Sequence, residues 1–382
     1  MAVERWTWRQ VCARRLERHG LAGPLKGGPV EVVAAMAGTH AQVMSAAELA
    51  IGLRSEDVTR QGVREALWGD RTLVKTFAAR GTVHLVPSVD LPMWTGVLSG
   101  LPSGTNGLPD EARMSPEQTD EVIEAIGAIL ADEELTVDEL TEALGERVGA
   151  WAVEPVMPAW HEMWPRWRQI THEAAARGAL CFGPAKGRKV TYTNPHRWLP
   201  GFKPAEAEAA DVELLKRYLW SYGPSTPARF AHWLSVTTGW AKGVFEAAAG
   251  GLRQVEVEGR TGWVAADDTE PGDEPPRGLR LLPYFDGYAY RVGNQPPELL
   301  YPGRAGERVL PHNFQVLVID GVVAGLWHQR RSGRRLAVTV EALEPLGPRR
   351  LRELDEQVER IGHILEATPE LTLGPVTVGG HP

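Results

Sequence analysis

Cysteine is nearly absent: Cys12 and Cys181 are the two in 382 residues. They build no disulfide framework and offer no metal-ligand spacing, so a reducing compartment is the simpler setting. Long apolar runs are missing as well. No stretch approaches the roughly 18 uninterrupted apolar residues of a membrane span, and the segment 1–6 leads into an amphipathic stretch rather than a signal peptide. A cytoplasmic chain without a membrane partner is expected. Positive charge is short too, with 41 Lys and Arg against 49 Asp and Glu and a net charge of −8. That balance argues against indiscriminate binding to polyanions, whose affinity rests on cations that displace condensed counterions. No glycine-rich phosphate loop follows a strand, and residues 201–204 read as a turn. The pairs His161-Glu162 and His172-Glu173 lack zincin spacing and read as helix-surface residues, so no metal and no cofactor are expected.

The composition is 43% hydrophobic and 24% charged, that of a soluble globular chain long enough for two or three cores. Its charges are segregated. Acidic runs at 132–134, 138–139 and 206–213 fall on solvated helices, whereas cations gather at Lys186, Arg188 and Lys189 and at Arg330, Arg331, Arg334 and Arg335. A Debye length of about 8 Å at physiological salt screens one face from another, so local distribution decides what binds. The four arginines surround a Ser-Gly turn, where mutual repulsion makes a purely structural role poor and phosphate contact the better reading. For Lys186, Arg188 and Lys189, backbone contact by a wing and plain surface solubility stay open.

One supersecondary pattern recurs about three times: two or three helices, then a hairpin with a glycine turn. In the clearest copy, residues 205–221 read as a helix. Thr226-Pro227 follows as an N-cap with proline at the first helical position, then a helix over 239–249, then strands 252–257 and 261–264 about a turn at 258–260. In the second copy Thr136 and Glu139 form a capping box, a long helix is expected over 159–177, and strands at 179–182 and 189–192 flank a cationic turn. The first copy has a helix at 30–37 and strands near 73–77 and 82–86. Beyond 277 the texture changes to short strands at 279–285, 309–310, 315–319, 322–328 and 336–340, a helix over 349–365 and a Pro/Gly-rich tail. The predicted class is α+β: tandem winged-helix motifs, about three, followed by a C-terminal β-barrel-like domain. Divisions fall at 1–110, 111–200, 201–276 and 277–382, with 267–276 as an acidic, proline-rich linker.

The most informative segment is Gly38-Thr39-His40-Ala41-Gln42-Val43-Met44-Ser45, followed by the strand-like, basic stretch 67–85 that holds Lys75, Arg80 and His84. A His-x-Gln pair beside basic strands suits hydrolysis on a polyanion. Together with Arg80-Gly81-Thr82-Val83-His84-Leu85, Leu282-Pro283-Tyr284-Phe285-Asp286 and Gly321-Val322-Val323-Ala324-Gly325-Leu326-Trp327, this segment resembles the AlkZ/YcaQ-like family of winged-helix DNA glycosylases over nearly the whole chain. The family carries a catalytic Gln-apolar-Gln or Gln-x-Asp triplet where this sequence has His40-Ala41-Gln42. The resemblance implies a monofunctional glycosylase that excises bulky N7-alkylated purines from duplex DNA and unhooks interstrand crosslinks, in repair or in self-resistance to a genotoxic natural product. It also implies a monomer, associated with the nucleoid when bound to DNA. The role of the first Gln does not transfer directly to His40.

The residues themselves allow that chemistry. An alkylated, cationic purine is a good leaving group, so an oxocarbenium-like sugar needs stabilisation and a held water more than a strong acid. Gln42 can accept and donate hydrogen bonds to fix the water, and a neutral His40 can orient or deprotonate it. In an extended loop these side chains, at i and i+2, face the same way, whereas on a helix they diverge. No lysine adjoins the motif to act as a Schiff-base nucleophile. On residue types alone, His40 and Gln42 satisfying backbone groups at a helix end is the commoner arrangement, and the resemblance reverses that weighting. His84 reads as a packed strand residue rather than a phosphate donor, and Trp327 as the tryptophan nearest DNA. Two other readings remain: a winged-helix transcription regulator, which ordinarily needs a dimer and base-reading helices that are not visible here, and a degenerate lesion-binding protein.

Overall fold

The computed structural model describes residues 3–101, 107–159, 162–289, 296–310 and 314–378. The chain divides into two compact units, Met1–Ala66 with Leu215–Pro382, and Leu67–Leu214.

In the first unit the strand Glu4–Trp6 runs parallel to Leu252–Val257, which pairs antiparallel with Arg260–Ala265. The turn falls at Glu258 and Gly259, both at positive φ, as the alternation of apolar residues predicts. Helices Pro227–Leu234 and Thr238–Ala247 precede this hairpin, and the Thr226 side chain accepts a hydrogen bond from the Arg229 amide with Pro227 at the first helical position. Helix–helix–hairpin order is therefore present where the sequence places it.

The C-terminal strands form a five-stranded sheet in the order Leu279–Leu282, Gln315–Ile319, Val322–Ser332, Arg335–Ala342, Thr368–Leu373. Helix Pro348–Leu365 crosses over so that the last strand lies parallel to Arg335–Ala342. Its buried Leu354, Val358, Ile361, Ile364 and Leu365 recur at helical spacing and pack on Leu281, Leu317, Leu336 and Val338. The same core takes Leu49 and Leu53, which ties helix Met44–Gly52 to the sheet. Gly52 permits the approach: a Cβ there would lie 2.5 Å from Ile364 Cγ2. Two expectations fail here. Residues 309–310 are a turn after the short helix Arg304–Arg308, and the tail contains the strand Thr368–Leu373. Pro369 masked that strand in the sequence, yet proline is tolerated at a sheet edge where no ladder amide is required.

In the second unit Leu73–Phe77 and Val83–Pro87 form an antiparallel hairpin. Helices Pro116–Ile129 and Val137–Arg147 precede a three-stranded sheet in the order Glu134–Thr136, Lys189–Thr193, Cys181–Lys186. The capping box forms as predicted: Thr136 N donates to Glu139 Oε2 at 2.6 Å and Glu139 N to Thr136 Oγ1 at 3.3 Å. These bonds hold the Glu139 carboxyl at about 2. The long helix expected over 159–177 does not form. Pro155–Pro158 and Met163–Pro165 pair as strands, a 3-10 turn covers Arg166–Ile170, and the helix is only Thr171–Ala176. Pro165 explains the break, because it lacks the amide a helix interior requires.

Asp211, on helix Ala207–Tyr222, is pushed up to about 6, first by burial and then by Glu208. A raised carboxyl favours the fold below its unfolded value, and that contribution is lost as pH rises through about 6. Discounted for partial exposure, the ionised group costs about 1 kcal/mol at neutral pH. Asp211→Asn is therefore expected to raise Tm by about 2 °C at pH 7.5 and to leave it unchanged near pH 4. Scanning calorimetry at the two pH values checks this; a lower Tm at pH 7.5 contradicts it.

Candidate active site

Helix Pro29–Ala35 ends in Ala37 and Gly38 at φ 50° and 98°, with Ala37 N bonded to Ala34 O and Gly38 N to Val33 O, both at 2.9 Å. This left-handed cap turns the chain out of the helix and into the short strand Thr39–His40. His40 is half-buried, Ala41 fully buried and Gln42 exposed. The strand covers only Thr39 and His40 and the chain bends at Gln42, so that buried Ala41 stands between a half-buried His40 and an exposed Gln42. Helix Met44–Gly52 starts directly afterwards. Its N-cap, Val43, supplies no side-chain acceptor, so Gln42 stands before first-turn amides that carry the positive end of the helix dipole.

His40 lies against Phe285, with ring centroids 4.3 Å apart and planes tilted by 33°. Phe285 has φ 59°, a left-handed conformation that a bulky residue rarely adopts. The next residue, Asp286, is buried and accepts from Arg54 through both oxygens, Nη1 to Oδ2 at 2.9 Å and Nη2 to Oδ1 at 2.7 Å. Arg54 Nη1 also donates to Ala50 O at 2.9 Å, and Tyr288 N donates to Asp286 Oδ1 at 2.9 Å. Tyr222 Oη donates to Met36 O at 2.7 Å, at the start of the turn that leads to His40. Phe285, Arg54, Asp286 and Tyr222 had no assigned role in the sequence reading. The available signal was that Phe285 and Asp286 lie in the Leu282–Asp286 stretch that carries the family resemblance.

The cationic candidates sort themselves by partner. On the strand Val322–Ser332, Arg331 pairs across from buried Leu336 and donates to Leu365 O at 2.8 Å and Glu366 O at 3.4 Å. It thereby caps the end of helix Pro348–Leu365 while its side chain stays exposed. Arg330 and Arg335 share the opposite face, since Arg335 pairs with Ser332 two residues from Arg330, and Arg334 sits at the turn beside Gly333, φ 60°. All three are exposed. Lys186 Nζ donates to Glu134 O at 2.8 Å and Glu139 Oε2 at 3.1 Å, and Lys189 Nζ to Asp138 at 2.6 Å, whereas Arg188 is exposed at the turn between them. In the second unit Lys75 Nζ lies 5.2 Å above the Phe182 ring, and Arg80 occupies a left-handed turn position at φ 61°.

His84 is buried in its strand with Nδ1 2.8 Å from Thr82 O, the packed role expected. Trp327 corrects an expectation: it is 1% exposed, its Nε1 donates to Leu282 O, and the alternation of its strand turns it into the core rather than toward a ligand. His172 is half-buried against Phe77 rather than on a helix surface, and burial lowers its imidazole. His161 lies outside the described residues. Among the described residues no three His, Cys, Asp or Glu side chains gather as metal ligands, and no helix is long and apolar enough to cross a membrane.

A half-buried imidazole and an exposed amide two residues apart are groups able to hold and deprotonate a water, as a hydrolase requires. The sequence matches the family profile described as DNA glycosylase AlkZ-like over residues 33–364. It is 32% identical over 336 residues to an interstrand DNA cross-link repair glycosylase of Streptomyces sahachiroi, covering 84% of this chain and 87% of that one. Its fold is similar to the solved structure of Streptomyces sahachiroi DNA glycosylase AlkZ, with TM-score 0.81, 28% identity, 97% of this chain and 100% of that chain covered. The chain belongs to the AlkZ-like DNA glycosylase family, enzymes that cleave N-glycosyl bonds, and its α+β fold is that of the solved relative.

Proposed function

We propose that this glycosylase hydrolyses the N-glycosidic bond of bulky N7-alkylated purines in duplex DNA, including those that tether an interstrand crosslink. The observation that carries the reading is the His40-Ala41-Gln42 segment, with Ala41 in the core between a half-buried His40 and an exposed Gln42. In this mechanism the bond from C1′ to the purine breaks with both electrons leaving on the already cationic base. Gln42 holds a water against the oxocarbenium-like sugar, and His40 takes a proton from that water as its oxygen bonds to C1′. No cofactor is needed. The name of the 32% identical relative favours repair chemistry over the transcription-regulator reading.

We infer further that the helix–hairpin segments 1–110, 111–200 and 201–276 are winged helices, that 277–382 is a barrel-like domain, and that the enzyme acts as a monomer at the nucleoid. The biological role that fits is repair of, or self-resistance to, a DNA-alkylating natural product. Incubating the protein with duplexes that carry N7-methylguanine or a bulky N7-guanine adduct and measuring free base by chromatography tests the activity. Release of free base with an abasic site left behind is expected. Intact DNA with both substrates rejects the reading.

For DNA contact the exposed Arg188, Arg330, Arg334 and Arg335 are the first candidates, with half-buried Lys75 and Arg80 behind them. Lys186 and Lys189 reach phosphate only by leaving their carboxylate partners. Replacing Arg330, Arg334 and Arg335 together with Ala is expected to weaken damaged and undamaged duplexes alike and to lower the salt slope by about one unit per lost contact. Arg331→Ala is expected to act differently: it costs about 1 kcal/mol of stability through the lost helix cap and leaves the salt slope alone. Binding isotherms across a salt series, paired with thermal melts, separate the two effects. An unchanged slope in the triple variant removes the hairpin from the DNA interface.

A further inference from the structure

We propose that Phe285 is a positioning residue for His40, and that the buried Arg54–Asp286 pair holds Phe285 in place; this rests on the reading of His40 as a group that acts on the water. Three observations converge. The Phe285 ring lies 4.3 Å from the imidazole at a tilt of 33°, close enough to fix the plane in which the imidazole nitrogens present themselves. Phe285 does so from φ 59°, where a large side chain is strained, and such strain persists only where neighbours over-determine it. The neighbour that does this is Asp286. Its carboxylate receives both Arg54 nitrogens at 2.9 and 2.7 Å and the Tyr288 amide at 2.9 Å.

Arg54 in turn donates to Ala50 O in helix Met44–Gly52, the helix that begins two residues after Gln42. One ion pair therefore links the segment that presents Phe285 to the helix that anchors the His-Ala-Gln motif. The Tyr222 hydroxyl on Met36 O supplies a second brace on the chain entering the motif. As stability devices, the pair and the strained Phe are poor choices, because well-packed apolar residues commonly replace a buried ion pair without loss. As a positioning device they are good ones. A water-activating imidazole must be held in a narrow geometry, and the face of a benzene ring also favours the positive charge that His40 gains on taking the proton.

The test uses the full chain and single-turnover excision of N7-methylguanine from a duplex, with duplex affinity measured in parallel. Phe285→Leu, which removes the flat ring but keeps apolar volume, is expected to lower the rate about tenfold while affinity stays within about twofold. Phe285→Tyr keeps the ring and is expected to restore a near wild-type rate. The double variant Arg54→Met with Asp286→Leu, confirmed folded by circular dichroism and melting, is expected to match Phe285→Leu; if it does not fold, the Phe285 variants decide.

In a His40→Ala background, Phe285→Leu is expected to add nothing, because the two act through one group. If His40→Ala is slow but Phe285→Leu keeps the wild-type rate, the positioning role is overturned and the reading of His40 stands. Equal losses from Phe285→Leu with and without His40 also overturn it, since Phe285 then acts on something else. A His40→Ala enzyme as fast as wild type instead removes the reading beneath the proposal.

Discussion

Gln42→Ala is expected to lower single-turnover excision by about 10²-fold or more while affinity for lesion DNA stays nearly intact. The expectation rests on where the side chain sits. Gln42 is exposed and lies outside both flanking helices, so truncating it leaves no cavity and removes no helix cap. What it removes is an amide whose carbonyl accepts from a water while its NH₂ donates, the two contacts that fix a nucleophile without taking its proton. A neutral amide holds the water through both contacts and leaves the proton to be taken by His40. Rapid-quench measurement with enzyme in excess, beside titration of the same duplex, separates chemistry from binding. An unchanged single-turnover rate sinks the assignment of Gln42.

Local features were legible in the sequence because local rules fix them. The Thr136–Glu139 capping box and the 258–259 turn each depend on neighbouring residues, and each forms as expected. Expectations failed where a tertiary partner decided. Trp327 reads as an aromatic beside a cationic turn, yet strand alternation and Leu282 O draw it into the core. The bonds of Arg331 to the end of a helix likewise depend on the pairing of its strand, which sets it on the face opposite Arg330 and Arg335. Thr368–Leu373 became a strand because Arg335–Ala342 offers an edge, a partner that lies beyond a whole helix. The candidate site divides in the same way. His40 and Gln42 are visible as a motif, and Phe285 and Asp286 as part of another, but their contacts with His40 and Arg54 are not, because nothing in a linear chain announces a ring that stacks on an imidazole from a distant turn.

The pH profile asks the most of His40. If the neutral imidazole takes a proton from water, excision of a cationic N7-alkylguanine is expected to fall as pH drops through the titration of His40. Imidazolium cannot accept a proton, and its charge opposes the positive charge that develops on the sugar. The sign is the reverse of that for an enzyme relying on acid to protonate its leaving group, because this leaving group is already cationic. His40→Gln introduces the amide that the resemblance places at this position and cannot titrate, so it is expected to keep appreciable activity with a flattened acidic limb. His40→Ala is expected to lose more, about 10- to 100-fold in single-turnover rate, and to lose the limb as well. Phe285 sharpens the comparison: a ring face 4.3 Å from the imidazole stacks on a Gln amide less specifically than on an aromatic ring, so His40→Gln should fall short of wild type at neutral pH. A His40→Ala enzyme with wild-type rate and an unchanged acidic limb would make His40 a packing residue and leave Gln42 as the one water-holding group of the motif.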